Sequence, residues 1–166
     1  MATQPGLVVP ITKTRSMMEV LTGEMVVLGA QAVDKVDAIR QAGEVLVKAG
    51  CVAPSYVDGM LAREGVMSTY LGSGIAIPHG ELADLQSVHR TGVSVLQLPE
   101  GVEWEPGERA YLVIGLATNS NELTPILINL TQVVQDPKIA ESLAHACDPM
   151  LIVKRLTGGE EGLETN

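Results

Sequence analysis

The segment STYLGSGIAIPHG, residues 68–80, holds the histidine that is best framed for chemistry, between a proline and a glycine. Pro78 fixes its own φ angle and disfavours a helical Ile77, so the chain reaches His79 in an extended conformation. Gly80 then frees the backbone to turn away. A histidine at the end of a strand lies at a sheet edge, where the binding sites of α/β proteins gather. An unperturbed imidazole in such a position can act as a base, a metal ligand or a nucleophile.

A metal site is not predicted around this histidine. Cys51 and Cys147 are far apart and form no CxxC pair, and the spacing of the histidines and cysteines does not define a zinc site. We expect both cysteines to be small buried thiols in a reducing cytosol. Of the other histidines, His89 is expected to be exposed at a strand entry. His145 is expected to cap or pack against the helix predicted over residues 137–147.

The glycines of the segment do not form a known nucleotide-binding loop. A GxGxxG frame that begins at Gly72 and Gly74 would need a third glycine where the chain has Ile77, and no helix start follows directly. The GK[ST] ending of a Walker A loop and the GxSxG elbow of an α/β-hydrolase are also absent from the sequence. The glycines do expose backbone N–H groups, which could contact phosphate only at one small, locally built site.

The composition argues against several classes of function. The 166 residues include 20 acidic and 11 basic side chains, which gives a net charge of −9, and only 2% are aromatic. An acidic surface repels phosphate backbones and anionic membranes, and few rings are available to stack on single-stranded bases. No apolar run approaches the roughly 20 residues that span a bilayer, and the N-terminal segment lacks the features of a signal peptide. We therefore expect a cytoplasmic protein that binds no nucleic acid and does not insert into membranes.

Strands and helices alternate along the chain, which indicates a single α/β domain. Apolar runs and alternation predict the strands, and helical periodicity with polar caps, such as Asp34 for the first helix, predicts the helices. The predicted strands cover 24–28, 91–98 and 111–117, with a turn at 99–101 and a short extended run in 72–78. The predicted helices cover 34–49, 54–63, 122–135, 137–147 and 149–156. An N-terminal arm is expected over 1–16, and a flexible acidic tail over 158–166.

The segment STYLGSGIAIPHG resembles the active-site signature of enzyme IIA domains of the bacterial sugar phosphotransferase system, mannitol/fructose type. The order and spacing of the mannitol-type domain also recur in DAIRQAGEVLVKAG, VAPSYVDGMLAREG, HRTGVSV, LPEGV, YLVIGLA and ESLAHA. The resemblance covers roughly residues 20–157, and we assign residues 17–157 to one such domain. It implies a three-layer α/β sandwich in which helices flank a mixed β-sheet. The nitrogen-related regulatory branch of the family shares the IAIPHG core but resembles the rest less well.

The resemblance implies a phosphoryl relay. In such domains the histidine of the PHG motif accepts a phosphoryl group on Nε2 from the phosphocarrier protein HPr and passes it to a IIB domain. His79 occupies that position, and Arg63, in LAREG, matches the arginine that stabilises the transferring group. Four further positions could supply donors to the phosphoryl oxygens: Ser68, Thr69, Gly72 and Gly74. With such donors the transfer needs neither a metal nor a cofactor.

One position departs from the family pattern. Mannitol-type domains usually carry a second histidine in a segment that reads NNEH, whereas the aligned stretch here, SNEL, ends in Leu123. Leucine neither donates a hydrogen bond nor carries charge, so we expect an apolar wall beside the His79 ring. The first hypothesis is a relay for the uptake of mannitol or a related polyol- or fructose-type sugar. The alternatives are a phosphorylation-dependent regulatory module of the nitrogen-related type and a scaffold with a degenerate site. A weak homo-oligomer is also compatible with the sequence.

Overall fold

A computed structural model describes residues 19–158, and one five-stranded mixed β-sheet lies at their centre. The strands are β1 (Val26–Val27), β2 (Tyr70–Gly72), β3 (Ile75–Ala76), β4 (Gly92–Glu105) and β5 (Glu108–Ala117). They lie in the order β1-β4-β5-β3-β2. β1 is parallel to β4 and β3 is parallel to β5, while the β4/β5 and β2/β3 pairs are antiparallel. The two long strands therefore lie side by side within the sheet, and short strands form both of its edges.

Helices cover both faces of this sheet. They are α1 (Lys35–Lys48), α2 (Ser55–Val66), α3 (Thr124–Gln135), α4 (Pro137–Ala144) and α5 (Pro149–Thr157). Side chains three positions apart on a strand point to opposite faces. Ser94 Oγ donates to Ala42 O of α1 at 2.8 Å, whereas Gln97 Nε2 donates to Leu143 O of α4 at 3.0 Å. α2 packs against α1, and α3 packs against both α4 and α5. The predicted three-layer α/β sandwich is confirmed.

Aspartates cap three of the helices. Asp34, the expected cap of α1, accepts a hydrogen bond from Asp37 N at 2.8 Å. Asp136 and Asp148 cap α4 and α5 in the same way, and a proline follows each of them at the start of the helix. A proline is tolerated there because its missing N–H would have no partner within the helix. All five predicted helices are confirmed, with ends that differ from the structure by three residues or fewer.

Two strand predictions are wrong in their bounds. The turn predicted at 99–101 is absent, because β4 continues through it as an irregularity of the β4/β5 ladder. Gly101 has a φ of 73°, and a Cβ atom there would lie 2.7 Å from Cε1 of Tyr111 on β5, so the glycine lets the strand pass that ring. The strand predicted over 24–28 is shorter in the structure. Its first two residues belong to the 3₁₀ helix Gly23–Met25, and β1, which follows, pairs with β4.

The two cysteines lie in different environments, so the expectation of two buried thiols is wrong for Cys147. Cys51 is buried in the aliphatic core, whereas Cys147 is exposed beyond the end of α4, in the connection to α5. Burial raises the pKa of the Cys51 thiol, and the charge of Arg90 lowers it by a smaller amount. Both cysteines are free thiols.

The predicted N-terminal arm, 1–16, lies outside the described residues, and so does all of the predicted tail except Gly158. That glycine ends α5 with a φ of 74°. Between residues 19 and 158, none of the helices has the length and apolar character needed to cross a bilayer.

Candidate active site

His79 lies at the carboxyl ends of two neighbouring parallel strands. β3 ends at Ala76, and the chain continues beside β5 far enough for Leu116 N to donate to Pro78 O at 3.0 Å. His79 and Leu116 then form a single parallel bridge. Ligand sites of α/β proteins form beyond the carboxyl ends of parallel strands, so the fold presents this side chain where a site is expected.

One hydrogen bond of the His79 ring determines which nitrogen can react. Nδ1 lies 2.8 Å from Ile77 O, and because a carbonyl oxygen can only accept, Nδ1 carries the proton. In the neutral ring Nε2 then holds the free lone pair. In this half-buried ring, Nε2 is therefore the nitrogen that is left free to react.

The cavity that His79 lines has a volume of about 370 Å³. Its apolar lining includes Leu123 and, from the 3₁₀ helix Leu82–Ser87, both Leu82 and Leu85. Polar side chains from the loop after β5 and the start of α3 complete the lining: Thr118, Ser120, Asn121 and Thr124. Leu82 is 84% exposed, so the cavity meets solvent at an apolar rim.

Tyr56 of α2 ties the His79 segment to the end of β5. Its hydroxyl accepts a hydrogen bond from Gly80 N at 2.9 Å and donates one to Leu116 O at 2.7 Å. The side chain is buried, and this burial raises the pKa of the phenol, while the Gly80 N–H lowers it and the Asp84 carboxylate raises it by smaller amounts. The sequence analysis did not single out Tyr56. The available signal is that a buried tyrosine hydroxyl needs a polar partner.

Arg63 lies on the same side of α2 as Tyr56, because it follows seven residues, about two turns and 10 Å, further along the helix. Its Nη1 donates to Met67 O at 2.6 Å, just beyond the end of the helix. The side chain is half-buried and is not among those that line the His79 cavity. Met67 O takes one of the five N–H donors of the guanidinium.

Thr69, one of the four further positions expected to bind phosphoryl oxygens, is bonded to a buried carboxylate. Its N–H donates to Glu64 Oε2 at 3.0 Å and its hydroxyl donates to Glu64 Oε1 at 2.6 Å. Trp104 Nε1 donates to the same carboxylate at 2.9 Å, and Lys35 Nζ lies 3.4 Å from it. This network fixes the turn between α2 and β2.

Of the other three positions, Ser68 lies between α2 and β2, whereas Gly72 and Gly74 lie at the turn between β2 and β3. Ser68 Oγ accepts from Tyr70 N at 3.1 Å, and Gly74 N donates to Tyr70 Oη at 3.0 Å. Gly72 and Gly74 have φ angles of 114° and 80°, which the tight turn requires. None of the four positions is among the residues that line the His79 cavity, and their role as phosphoryl donors stays a prediction.

The other histidines lie outside the cavity. His89 is exposed, as expected. Nδ1 of His145 lies 3.0 Å from Glu141 O at the end of α4, which agrees with the expected capping or packing role. In the described part of the chain, no group of three or more histidine, cysteine, aspartate and glutamate side chains could hold a metal ion.

Residues 19–158 match the protein family described as "Phosphoenolpyruvate-dependent sugar phosphotransferase system, EIIA 2". The chain belongs to this family. The resemblance that the sequence predicted is therefore confirmed, and the match spans all the residues that the structure describes.

Two curated relatives contain a segment that is similar to this chain. A multiphosphoryl transfer protein of Xanthomonas campestris pv. campestris is 51% identical over 138 residues, which make up 83% of this chain and 16% of that protein. The mannitol-specific EIICBA component of Escherichia coli K12 is 43% identical over 140 residues, which make up 83% of this chain and 22% of that protein. The chain therefore spans only a small part of the length of these relatives.

A solved structure of the family contains a partner. Enzyme IIA-Mtl of Escherichia coli, in complex with phosphorylated enzyme IIB-Mtl, is 42% identical and superposes with a TM-score of 0.76. The match covers 82% of this chain and 96% of that chain. In that complex, an enzyme IIA with this fold binds a phosphorylated IIB.

In this EIIA domain, the position expected to depart from the mannitol type contributes to the cavity itself. Leu123 precedes the first residue of α3, is 3% exposed and lines the same cavity as His79. The cavity therefore contains an apolar side chain at the position where the resemblance implies a second imidazole.

Proposed function

We propose that this EIIA domain accepts a phosphoryl group from phospho-HPr on Nε2 of His79 and passes it to a IIB domain. The observation that carries the proposal is the 2.8 Å contact between His79 Nδ1 and Ile77 O, because it leaves Nε2 as the reactive nitrogen. The complex of the related enzyme IIA with a phosphorylated IIB supports IIB as the acceptor.

In the accepting step, the Nε2 lone pair attacks phosphorus while the bond between phosphorus and its donor atom on phospho-HPr breaks. His79 loses no proton in this step, since Nε2 is unprotonated beforehand. The positive charge that develops on the ring spreads to Nδ1–H, and Ile77 O stabilises it by accepting that hydrogen bond. In the donating step, a nucleophile of IIB attacks the same phosphorus and the bond to Nε2 breaks.

The phosphoryl oxygens carry most of the charge in the loose transition state, so a cationic donor is the main stabilising group that the site needs. Arg63 is the donor that we propose, through the guanidinium N–H groups that Met67 O does not occupy. A planar guanidinium donates two parallel hydrogen bonds to a phosphoryl group. Leu123 and the leucines at the rim reduce the water in the cavity, which strengthens that interaction.

The sugar served by this relay is, in our proposal, mannitol or a related polyol- or fructose-type sugar, and the relay operates in the cytoplasm. The 43% sequence identity with a mannitol-specific component supports this class of sugar. The alternative, a regulatory module of the nitrogen-related type, is less well supported, because the matched relatives are named as a phosphoryl transfer protein and a mannitol-specific component.

The test is phosphorylation by enzyme I and HPr with labelled phosphoenolpyruvate, followed by addition of a IIB domain. We expect label on the wild type and on His89→Ala, the matched control at an exposed histidine outside the cavity, and none on His79→Ala. We also expect IIB to remove the label. Full labelling of His79→Ala would refute the assignment of His79 as the nucleophile. Label that stays on the wild type in the presence of IIB would refute the relay and favour the regulatory alternative.

A further inference from the structure

Tyr56 replaces a hydrogen bond of the sheet beside the reactive histidine. In a regular parallel bridge between His79 and Leu116, Leu116 N donates to Pro78 O and Gly80 N donates directly to Leu116 O. The first of these bonds is present at 3.0 Å. The second is made through the Tyr56 hydroxyl, which accepts from Gly80 N at 2.9 Å and donates to Leu116 O at 2.7 Å. A phenol from α2 is therefore inserted between the His79 segment and β5.

The inserted hydroxyl sets the distance between β5 and the chain beyond His79. Two hydrogen bonds in series, with a bend at the hydroxyl oxygen, separate Gly80 N from Leu116 O by about 1–2 Å more than one direct bond. Tyr56 and Gly80 both line the His79 cavity, so this widening occurs in the cavity wall.

The packing around the phenol leaves no room for a side chain at Gly80. A Cβ atom there would lie 2.8 Å from Cε1 and 3.0 Å from Cζ of Tyr56, closer than ordinary carbon contacts. Gly80 is not among the glycines with positive φ, so the ring explains the glycine better than the backbone conformation does. Because burial raises the pKa of the Tyr56 phenol, the hydroxyl keeps its proton at neutral pH and continues to donate to Leu116 O.

We infer that Tyr56 is a positioning residue for phosphoryl transfer. Its hydroxyl holds the Pro78–Gly80 backbone in the position in which Nδ1 of His79 keeps its hydrogen bond to Ile77 O. This role depends on the proposed function, phosphoryl acceptance by His79. Tyr56 does not stabilise the phosphoryl group directly, since its only hydroxyl proton is donated to Leu116 O.

Loss of the hydroxyl changes the backbone beside the nucleophile. Gly80 N and Leu116 O then either pair directly or remain unpaired, and direct pairing moves the segment by about 1–2 Å. A misplacement of about 1 Å can lower the rate of a positioned reaction about 100-fold. The sheet and helices do not depend on this bond alone, so we expect Tyr56→Phe to fold.

The experiment compares Tyr56→Phe with Tyr70→Phe. Tyr70 is a matched control because its hydroxyl also joins a glycine to a carbonyl, accepting from Gly74 N at 3.0 Å and donating to Arg109 O at 3.3 Å, outside the His79 cavity. Single-turnover transfer is measured over a range of phospho-HPr concentrations. We expect Tyr56→Phe to lower the maximal rate constant about 10- to 100-fold, with little change in the half-saturating concentration. Tyr70→Phe should leave both quantities unchanged.

A second readout needs no phosphoryl donor. The ¹⁵N NMR shifts of the His79 ring report whether Nδ1 keeps its hydrogen bond, and we expect them to change in Tyr56→Phe and not in Tyr70→Phe. If the wild type accepts no phosphoryl group, the proposed function fails, while the ring shifts still test the positioning role. Wild-type rates or wild-type ring shifts in Tyr56→Phe, or equal losses in the two variants, would overturn the inference.

A second pair of variants covers the case in which Tyr56→Phe does not fold. The methyl group that Gly80→Ala adds would push the Tyr56 phenol out of its position. Gly65→Ala is the control, on the exposed side of α2, where a Cβ atom would meet nothing within 4 Å. We expect slower transfer and altered His79 ring shifts in Gly80→Ala alone. Transfer at the wild-type rate in Gly80→Ala would overturn the inference.

Discussion

The substitution Arg63→Ala distinguishes two roles that this side chain could have. In the structure the guanidinium donates one hydrogen bond, to Met67 O at 2.6 Å, at the exposed end of α2. A hydrogen bond of this kind contributes about 0.5–1.5 kcal/mol, and a cation near a helix C-terminus adds about 0.3–1 kcal/mol. We therefore expect the free energy of unfolding to fall by about 1 kcal/mol and the protein to remain folded.

The expected effect on phosphoryl transfer is larger than the effect on stability. Removal of one donor that stabilises developing charge costs about 3 kcal/mol, or roughly 100-fold in rate. Arg63→Lys should also be slow, because an ammonium group cannot offer two parallel donors to a phosphoryl group. Stability and transfer rate therefore distinguish the two roles. If Arg63 only ends the helix, the substitution lowers stability alone; if Arg63 contacts the phosphoryl group, it lowers both stability and the transfer rate.

The assay is single-turnover transfer from phospho-HPr, with urea unfolding of each variant in parallel. Arg40→Ala is the matched control, since it removes one positive charge from an exposed position on α1. We expect Arg40→Ala to transfer at the wild-type rate. Wild-type transfer in Arg63→Ala together with a loss of about 1 kcal/mol would refute the assignment, and so would equal slowing in both variants.

Three further predictions concern other described residues. Leu123→His should raise the single-turnover transfer rate, because the donor that it adds to the cavity stabilises the phosphoryl oxygens more than the lost apolar wall does. A folded variant with no faster transfer would contradict this expectation. Glu64→Ala should lower the free energy of unfolding, measured in urea, by about 2–4 kcal/mol, because it leaves buried donors unpaired. Glu44→Ala, at an exposed position, should change this free energy by less than about 0.5 kcal/mol. Equal losses in the two glutamate variants would be evidence against the network. Exposed Cys147 should react at once with a thiol-specific disulfide reagent. Cys51 should react only as the protein unfolds, because this thiol is buried and its pKa is raised. Fast reaction of both thiols in the native protein would disprove this.

The sequence predicts best those features whose causes are local. Asp34 accepts from an N–H three residues away, so the start of α1 can be predicted from a short stretch of sequence. The strand-end position of His79 also has a local cause, since Pro78 and Gly80 are its direct neighbours. The assignment of a role to this histidine depends further on the family resemblance.

Features that depend on pairing between distant segments could not be predicted. β4 passes through 99–101 because Gly101 accommodates the Tyr111 ring, and this contact exists only once β4 and β5 are in register. The Tyr56 hydroxyl meets a carbonyl 60 positions away in the chain, which composition and periodicity do not reveal. Sequence reasoning can require a polar partner for a buried phenol, but only the folded chain identifies that partner.

The short edge strands of the sheet have a consequence for how this domain meets its partners. β1 has two residues and β2 has three, so each edge strand itself offers few free backbone groups to a strand from another chain. Contacts along these two edge strands must then be made mainly through side chains, without extension of the sheet. Such contacts suit the relay proposed above, because no backbone ladder has to be broken when one protein is released and the next is bound.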